Sequence, residues 1–267
     1  MNQSAQVELI HVSKQFLRQT GEQVAGLNNL TLSIHPGEVI GIIGTNGAGK
    51  STLFNCLTGQ IPIDSGDILI DGQSIYSMSA QSLARQIGRV FQDPRMGSAP
   101  RMSVFENLML ANKRGEKRGL GRSLTTNNRK YLIEKLKPFR LDLEHRLDVP
   151  IENLSGGQRQ AVSLVMATLL QPKLLLLDEH TASLDPRTAK EVMKMTQHLI
   201  QENNLTTIMI THHLQDAIEF CDRIVVMHQG RIVNIYTSEQ IETLSTTDLY
   251  QYLVDLVERE VLENYTV

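Results

Sequence analysis

The sequence has few cysteines, no long apolar run and no marked excess of charge of either sign. Cys56 and Cys221 are its only cysteines, and they lie too far apart in sequence to suggest a disulfide framework or a cysteine metal site, so a reducing cytosol is expected. No stretch approaches the roughly 20 apolar residues that cross a bilayer as a helix, so no membrane-spanning helix is expected. The opening Met1 to Gln6 lacks a basic segment followed by an apolar one, and no secretory signal is expected there. A net charge of -3 over 267 residues gives no general pull toward nucleic acid or anionic lipid, and no nucleic-acid partner is expected. Internal repeats and low-complexity tracts are missing too, which excludes solenoids and arrays.

With 41% hydrophobic residues, the chain can bury one large core, or a main domain carrying a smaller insertion. Val7 to Val12, Leu30 to Ile34 and Asp67 to Ile70, the last before the turn Asp71-Gly72, have strand-like lengths and suit a small antiparallel sheet. Val39 to Ile43, Lys173 to Leu177 and Thr207 to Ile210 are short apolar runs between polar residues, the pattern of parallel strands covered on both faces. Between Met102 and Leu170 the strand signal fades, and Val104 to Ala111, Arg129 to Leu136 and Gln158 to Leu170 read as helices. The expectation is a single domain over 1–267, an α/β core with an inserted helical subdomain at about 100–170. Asn112 to Arg129 holds Lys113, Arg114, Lys117, Arg118 and Arg122 among glycines and polar residues, and reads as a solvated basic loop. Leu249, Leu253 and Leu256 repeat at helical spacing, predicting a terminal helix at about 247–263, started by Thr246 or Thr247.

Directly after Val39 to Ile43 comes Gly44-Thr45-Asn46-Gly47-Ala48-Gly49-Lys50-Ser51, followed by Thr52. It satisfies GxxxxGK[ST] in the strand-then-helix setting that gives that pattern meaning. Glycines let successive backbone amides turn inward, and the helix behind them adds the partial positive charge of its N-terminus, so phosphate oxygens are the natural guest. Lys50 would reach the β and γ phosphates and the Ser51 hydroxyl would coordinate Mg²⁺. Leu174 to Leu177 delivers Asp178 and Glu179 at a strand's carboxyl end, where α/β sheets bind ligands. Asp178 is placed for the Mg²⁺ shell and Glu179 to orient or deprotonate a water. Leu154-Ser155-Gly156-Gly157-Gln158 opens a helix: Ser155 and Gln158 have capping-box spacing, yet paired glycines also let an outside phosphate reach bare amides at a positive helix end.

With these motifs the chain resembles the nucleotide-binding subunits of ATP-binding cassette (ABC) proteins over nearly its whole length. The resemblance implies the P-loop NTPase fold, a RecA-like parallel core with an N-terminal antiparallel β subdomain and an inserted helical one. It also implies ATP and Mg²⁺, and a head-to-tail dimer in which the Leu154 to Gln158 segment of one subunit closes over the γ-phosphate held by the other's loop. Phe16 resembles the adenine-stacking aromatic. Gln92, in Phe91-Gln92-Asp93-Pro94, matches the glutamine that senses Mg²⁺ and water and links to the membrane partner. Asp185, in Ser183-Leu184-Asp185, matches a dimer contact, and His212 the switch histidine, with His213 as the neighbouring alternative. His180 stands where a proline is common, and the helix after Gln158 lacks an arginine that many members carry. The implied role is an ATPase, catalysed by Glu179, His212 and Gln92, that works as a peripheral subunit on the inner face of the cell membrane. It would energise an importer through integral permease subunits and an extracytoplasmic solute-binding protein; with Asp93-Pro94 and Ala99-Pro100, the two departures resemble a group of bacterial importer ATPases associated with aromatic amino acid uptake. The alternative is a soluble ABC ATPase in an assembly process such as iron-sulfur cluster biogenesis.

Overall fold

The computed structural model describes residues 4–17, 21–116, 125–139 and 141–265. These fall into two compact units, one made of 1–78 with 206–267 and the other of 79–205. Lys117, Arg118 and Arg122 of the expected basic loop lie outside the described residues.

In the first unit, β1 (Val7–Leu17), β2 (Gln23–Ile34), β4 (Ser65–Ile70) and the short β5 (Gln73–Ser74) form an antiparallel sheet in the order β2-β1-β4-β5. It is longer than the apolar pattern suggested, because β1 runs on past Val12 and β2 begins before Leu30, with Gln15 paired to Ala25 and Phe16 to Val24. Beside it, β3 (Val39–Gly44) lies parallel to both β8 (Thr207–Ile210) and β9 (Arg223–His228), and β10 (Arg231–Tyr236) returns antiparallel to β9. Ile40, Ile42 and Ile43 of β3 are fully buried, as a parallel strand covered on both faces requires; each is worth about 2 kcal/mol by area.

Glu38 and Arg223 fasten the entrances of β3 and β9. Arg223 donates from Nη2 to Glu38 Oε2 at 3.1 Å and to the Ser33 carbonyl at 2.6 Å, and from Nε to Glu38 Oε1, while His35 N donates to Glu38 Oε2. After β3 come α1 (Lys50–Leu57), α7 (Leu214–Phe220), the short α8 (Ser238–Ile241) and the last helix, α9 (Thr246–Tyr265). That last helix is started not by Thr246 or Thr247 but by Ser245, whose hydroxyl accepts from Asp248 N while Asp248 accepts from Ser245 N and Oγ. A capping box needs its partner three residues on, and only Ser245 has an acidic one.

In the second unit, β6 (Ile87–Val90) pairs in parallel with β7 (Leu174–Asp178), with Arg89 opposite Leu176. Its helices are α2 (Ala80–Gln86), α3 (Val104–Asn112), α4 (Thr126–Leu136), α5 (Gly156–Thr168) and α6 (Pro186–Asn203). The loop reading overran at its far end, since α4 begins at Thr126 with Thr125 Oγ1 accepting from Asn128 N. Helix α5 starts two residues earlier than expected because its capping box brings both glycines into the first turn. Helix α6 is bounded by Asp185 as N-cap, Pro186 in its first turn and a left-handed Asn204 at its end, and it buries Val192, Met193, Thr196 and Ile200 along one stripe.

Candidate active site

The residues singled out from sequence divide between the two units, and each group has its own local geometry. In the first unit, the turn from Thr45 to Gly49 joins β3 to α1. Gly49 has φ +97, and a Cβ there would stand 2.2 Å from the Gly26 carbonyl oxygen; at Gly44 a Cβ would stand 2.1 Å from the Met227 carbonyl oxygen. Only glycine lets this turn lie so close to β2 and β9. Gly47, at φ +77, faces open space. Lys50 is 7% exposed, and its ammonium donates to the Gly44 carbonyl at 2.8 Å and the Thr45 carbonyl at 3.0 Å. A buried cation curled over the loop's own carbonyls, beside exposed Asn46, Gly47 and Ser51, is a cradle suited to a polyanion.

The loop is held from outside as well. Ala48 exchanges bonds with Thr45 O and Gly230 N, and Thr45 Oγ1 lies 3.0 Å from His228 Nδ1, whose Nε2 is 3.4 Å from Glu260 on α9. Sequence reading had no means of finding His228, a lone histidine at the end of a strand. Phe16 is 38% exposed on β1, and its ring lies against the bare backbone of Gly26: a Cβ there would meet Phe16 Cε2 at 2.4 Å and Thr52 Cγ2 at 3.1 Å. The aromatic ring and the residue after Ser51 therefore flank one spot. His212 follows buried Thr211 and is exposed; His213, its neighbour, takes the N-cap position of α7 and donates its amide to Thr211 Oγ1 at 3.0 Å.

In the second unit, β7 ends at Asp178, whose Oδ2 accepts from Arg89 Nη2 at 2.6 Å. Glu179 takes the left-handed conformation, φ +46, at a cost of about 1 kcal/mol for a residue with a Cβ. Its carbonyl accepts from Ala182 N at 3.0 Å, closing a turn directly after the strand. His180 beyond it is wholly buried, with Nε2 3.1 Å from Thr196 Oγ1. Since that hydroxyl donates to Val192 O at 2.8 Å, His180 must be the donor to it, and burial holds its pKa down to about 4. The histidine beside Glu179 is thus a neutral group anchored on α6.

Gln92 is exposed, and its carbonyl accepts from Ser183 Oγ at 3.4 Å. One residue earlier the Phe91 carbonyl accepts from Gln160 of α5 at 3.3 Å, so the Gln92 segment is tied to two others of this unit. Next to it Arg95 forks onto Asp93, holding that carboxyl below the usual range. The Ser155 hydroxyl accepts from Gln158 N at 3.3 Å and Gln158 Oε1 from Ser155 N at 3.1 Å, while Gln158 Nε2 reaches the Leu141 carbonyl. Leu154 is buried, and Gly157 packs so close to α6 that a Cβ would meet Thr188 Cγ2 at 2.5 Å. Gly156 is looser, its Cβ position 3.1 Å from Leu184 Cδ2. Asp185 accepts from Thr188 N at 3.1 Å. Capping and packing thus explain part of why these residue types stand here, and the exposed Ser155 leaves the tip of α5 open to an anion.

Known proteins resemble the chain in sequence and in fold. Residues 27–182 match the family model described as ABC transporter. The chain is 40% identical over 247 residues to a tyrosine transport ATP-binding protein of Clostridioides difficile, covering 92% of this chain and 97% of that one. It is 34% identical to a methionine import ATP-binding protein of Enterococcus faecalis, over 98% of this chain and 76% of that one. Among solved structures, a dimeric ATP-binding cassette in a post-hydrolysis state with ADP and Pi superposes with a TM-score of 0.75 at 28% identity, covering 87% of this chain and 98% of that one. The cbiO1 protein of Clostridium perfringens, part of the ABC transporter complex cbiONQ, gives 0.76 at 29% identity, covering 98% and 100%. With its phosphate loop, strand-end carboxylates and Leu154 to Gln158 helix tip, the chain belongs to the ABC transporter family: it has the P-loop NTPase fold, binds ATP and hydrolyses it.

Proposed function

We propose that two copies of this chain form the ATP-driven engine of an amino-acid importer, with tyrosine or a similar aromatic amino acid as its cargo. The observation that carries this reading is the 40% identity to a tyrosine transport ATP-binding protein over almost the whole of both chains. No described helix is long and apolar enough to cross a membrane, and in this reading separate integral permease subunits form the passage, fed by an extracytoplasmic solute-binding protein. The chain would sit against them on the inner face of the cell membrane. An accessory role in iron-sulfur cluster assembly is not favoured, since the named relatives are transport proteins.

In the proposed cycle, the Gly44 to Thr52 loop receives the triphosphate, with the Lys50 ammonium on the β and γ oxygens and Phe16 against the adenine. Ser155, Gly156 and Gly157 of the partner copy close on the γ-phosphate, and Asp185 helps keep the two copies in register. The attacking water is oriented by Glu179 and His212, and Glu179 takes its proton as the oxygen bonds to the γ phosphorus. The bond to the bridging oxygen breaks in line, leaving ADP and inorganic phosphate.

Ser51, Gln92 and Asp178 offer hard oxygen donors of the kind Mg²⁺ prefers. Among the described residues no cluster of three or more His, Cys, Asp or Glu side chains could hold a metal by itself, which suits an ion carried mainly by nucleotide phosphates with one carboxylate behind it. When bound, Mg²⁺ would neutralise charge that builds on the phosphate oxygens.

The reading is tested by purifying the tagged chain from membranes and measuring uptake of labelled tyrosine and methionine. Co-purification of an integral subunit, with tyrosine uptake that is lost in Glu179→Gln, is expected. A complex of water-soluble proteins only, or unchanged uptake in that variant, would overturn it.

A further inference from the structure

A cation buried beside a carboxylate that serves a metal is out of place on stability grounds alone. Arg89 sits within the apolar run Ile87-Gly88-Arg89-Val90-Phe91. Its strand neighbour on β7 is Leu176, and alternation along a strand brings Asp178 to the same face as Leu176 and Phe91 to the same face as Arg89. The guanidinium therefore lies between the two. Nη2 is 2.6 Å from Asp178 Oδ2, and the guanidinium carbon is 4.6 Å from the centre of the Phe91 ring. The two charged side chains are 11% and 18% exposed. A pair this dry gains little over an apolar pair of similar size, because desolvation offsets most of the attraction.

We infer that Arg89 is a positioning residue that stands in for the metal: it holds the Asp178 carboxylate while the site is empty and opposes Mg²⁺ when nucleotide arrives. The inference rests on Asp178 being the Mg²⁺-side carboxylate of the proposed site. A metal ion that draws on Asp178, directly or through water, meets a guanidinium already bonded to one of its oxygens. Two like charges then share one carboxylate in a poorly solvated place, where their repulsion is only weakly screened. Metal entry must shift the guanidinium, and Phe91 gives it an aromatic face on which to remain. Because Phe91 immediately precedes Gln92, that shift is felt at the segment assigned to the membrane partner. The chain consequently needs more free metal than a version lacking this charge, and its ATP site is less occupied when the ion is scarce.

The test uses Arg89→Gln and Arg89→Met beside the full-length wild type, with Mn²⁺ as the probe and a non-hydrolysable ATP analogue present. Bound Mn²⁺ is counted by electron paramagnetic resonance, and analogue binding in EDTA is followed in parallel by fluorescence. Removing one repelling charge is expected to tighten Mn²⁺ binding about tenfold, a coupling of ordinary size, with metal-free analogue binding unchanged. Arg89→Lys, which keeps the charge, should stay near wild type and serves also if the neutral variants do not fold. Equal or weaker Mn²⁺ binding in the neutral variants, or a Lys variant that binds Mn²⁺ tenfold tighter, would overturn the inference. If the wild type itself takes up no Mn²⁺ with the analogue, the site assignment fails instead.

Discussion

Replacing Gly49 with alanine separates what the phosphate loop requires from what any turn requires. Two costs follow from the structure. The backbone stands at φ +97, where a Cβ is penalised by about 1–2 kcal/mol. That Cβ would also lie 2.2 Å from the Gly26 carbonyl oxygen, whereas ordinary contact begins near 3.4 Å. The oxygen belongs to the backbone of β2 and cannot swing aside, so the loop must retreat by about 1 Å, and a misplacement of that size in a reacting site costs on the order of 100-fold in rate. Gly72→Ala is the control, because Gly72 has φ +73 with nothing within 4 Å of a Cβ and carries only the conformational cost. In urea titrations Gly72→Ala should lose about 1–2 kcal/mol, and Gly49→Ala, which also carries the clash, should lose more. In ATP turnover and fluorescent-nucleotide titration only Gly49→Ala should fall, by roughly 100-fold. Normal turnover in Gly49→Ala, or an equal loss in Gly72→Ala, would refute the reasoning.

Other consequences can be measured as directly. Lys50→Ala should weaken ATP binding by about 10- to 100-fold, the worth of a charge-assisted contact, and unchanged affinity in a titration would contradict the role given to this lysine. Glu179→Gln should cut turnover by about 100- to 10,000-fold while ATP binding persists, as expected on removing a general base; turnover at the wild-type rate would remove Glu179 from the mechanism. His180 has a folded pKa of about 4 against an ordinary 6.5, so between these values the unfolded chain binds the proton and the folded one does not. Stability is therefore intact above pH 6.5 and falls by about 3 kcal/mol as the pH drops to 4. Denaturation across that window should show a shallower loss for His180→Leu, and an identical slope would mean that His180 is not the group responsible.

The legible parts of the chain are those whose physics is local. An apolar run followed by a glycine-rich turn specifies β3 and the phosphate loop, and Leu174 to Leu177 specify β7, because strands covered on both faces must be apolar throughout. Arg89 was hidden by the same rule: a charge inside an apolar run is an exception whose reason is a partner 89 residues away. The burial of His180 likewise depends on Thr196 of α6, which a window of sequence does not contain. Strands β9 and β10 escaped notice although Ile224 to Met227 are fully buried, since short apolar runs do not declare their partners. The start of α4 and the Ser245 cap of α9 were misplaced by a residue or more, where several Thr and Ser side chains compete for one capping position.

The central claim is that each ATP is shared between two copies. A crystal structure of the Glu179→Gln variant with ATP tests it most directly. The expected result is a symmetric pair in which the γ-phosphate bound to Lys50 of one chain lies within hydrogen-bonding distance of Ser155 and Gly157 from the other. A closed pair with those helix tips far from the γ-phosphate, or a single chain enclosing the nucleotide by itself, would contradict it.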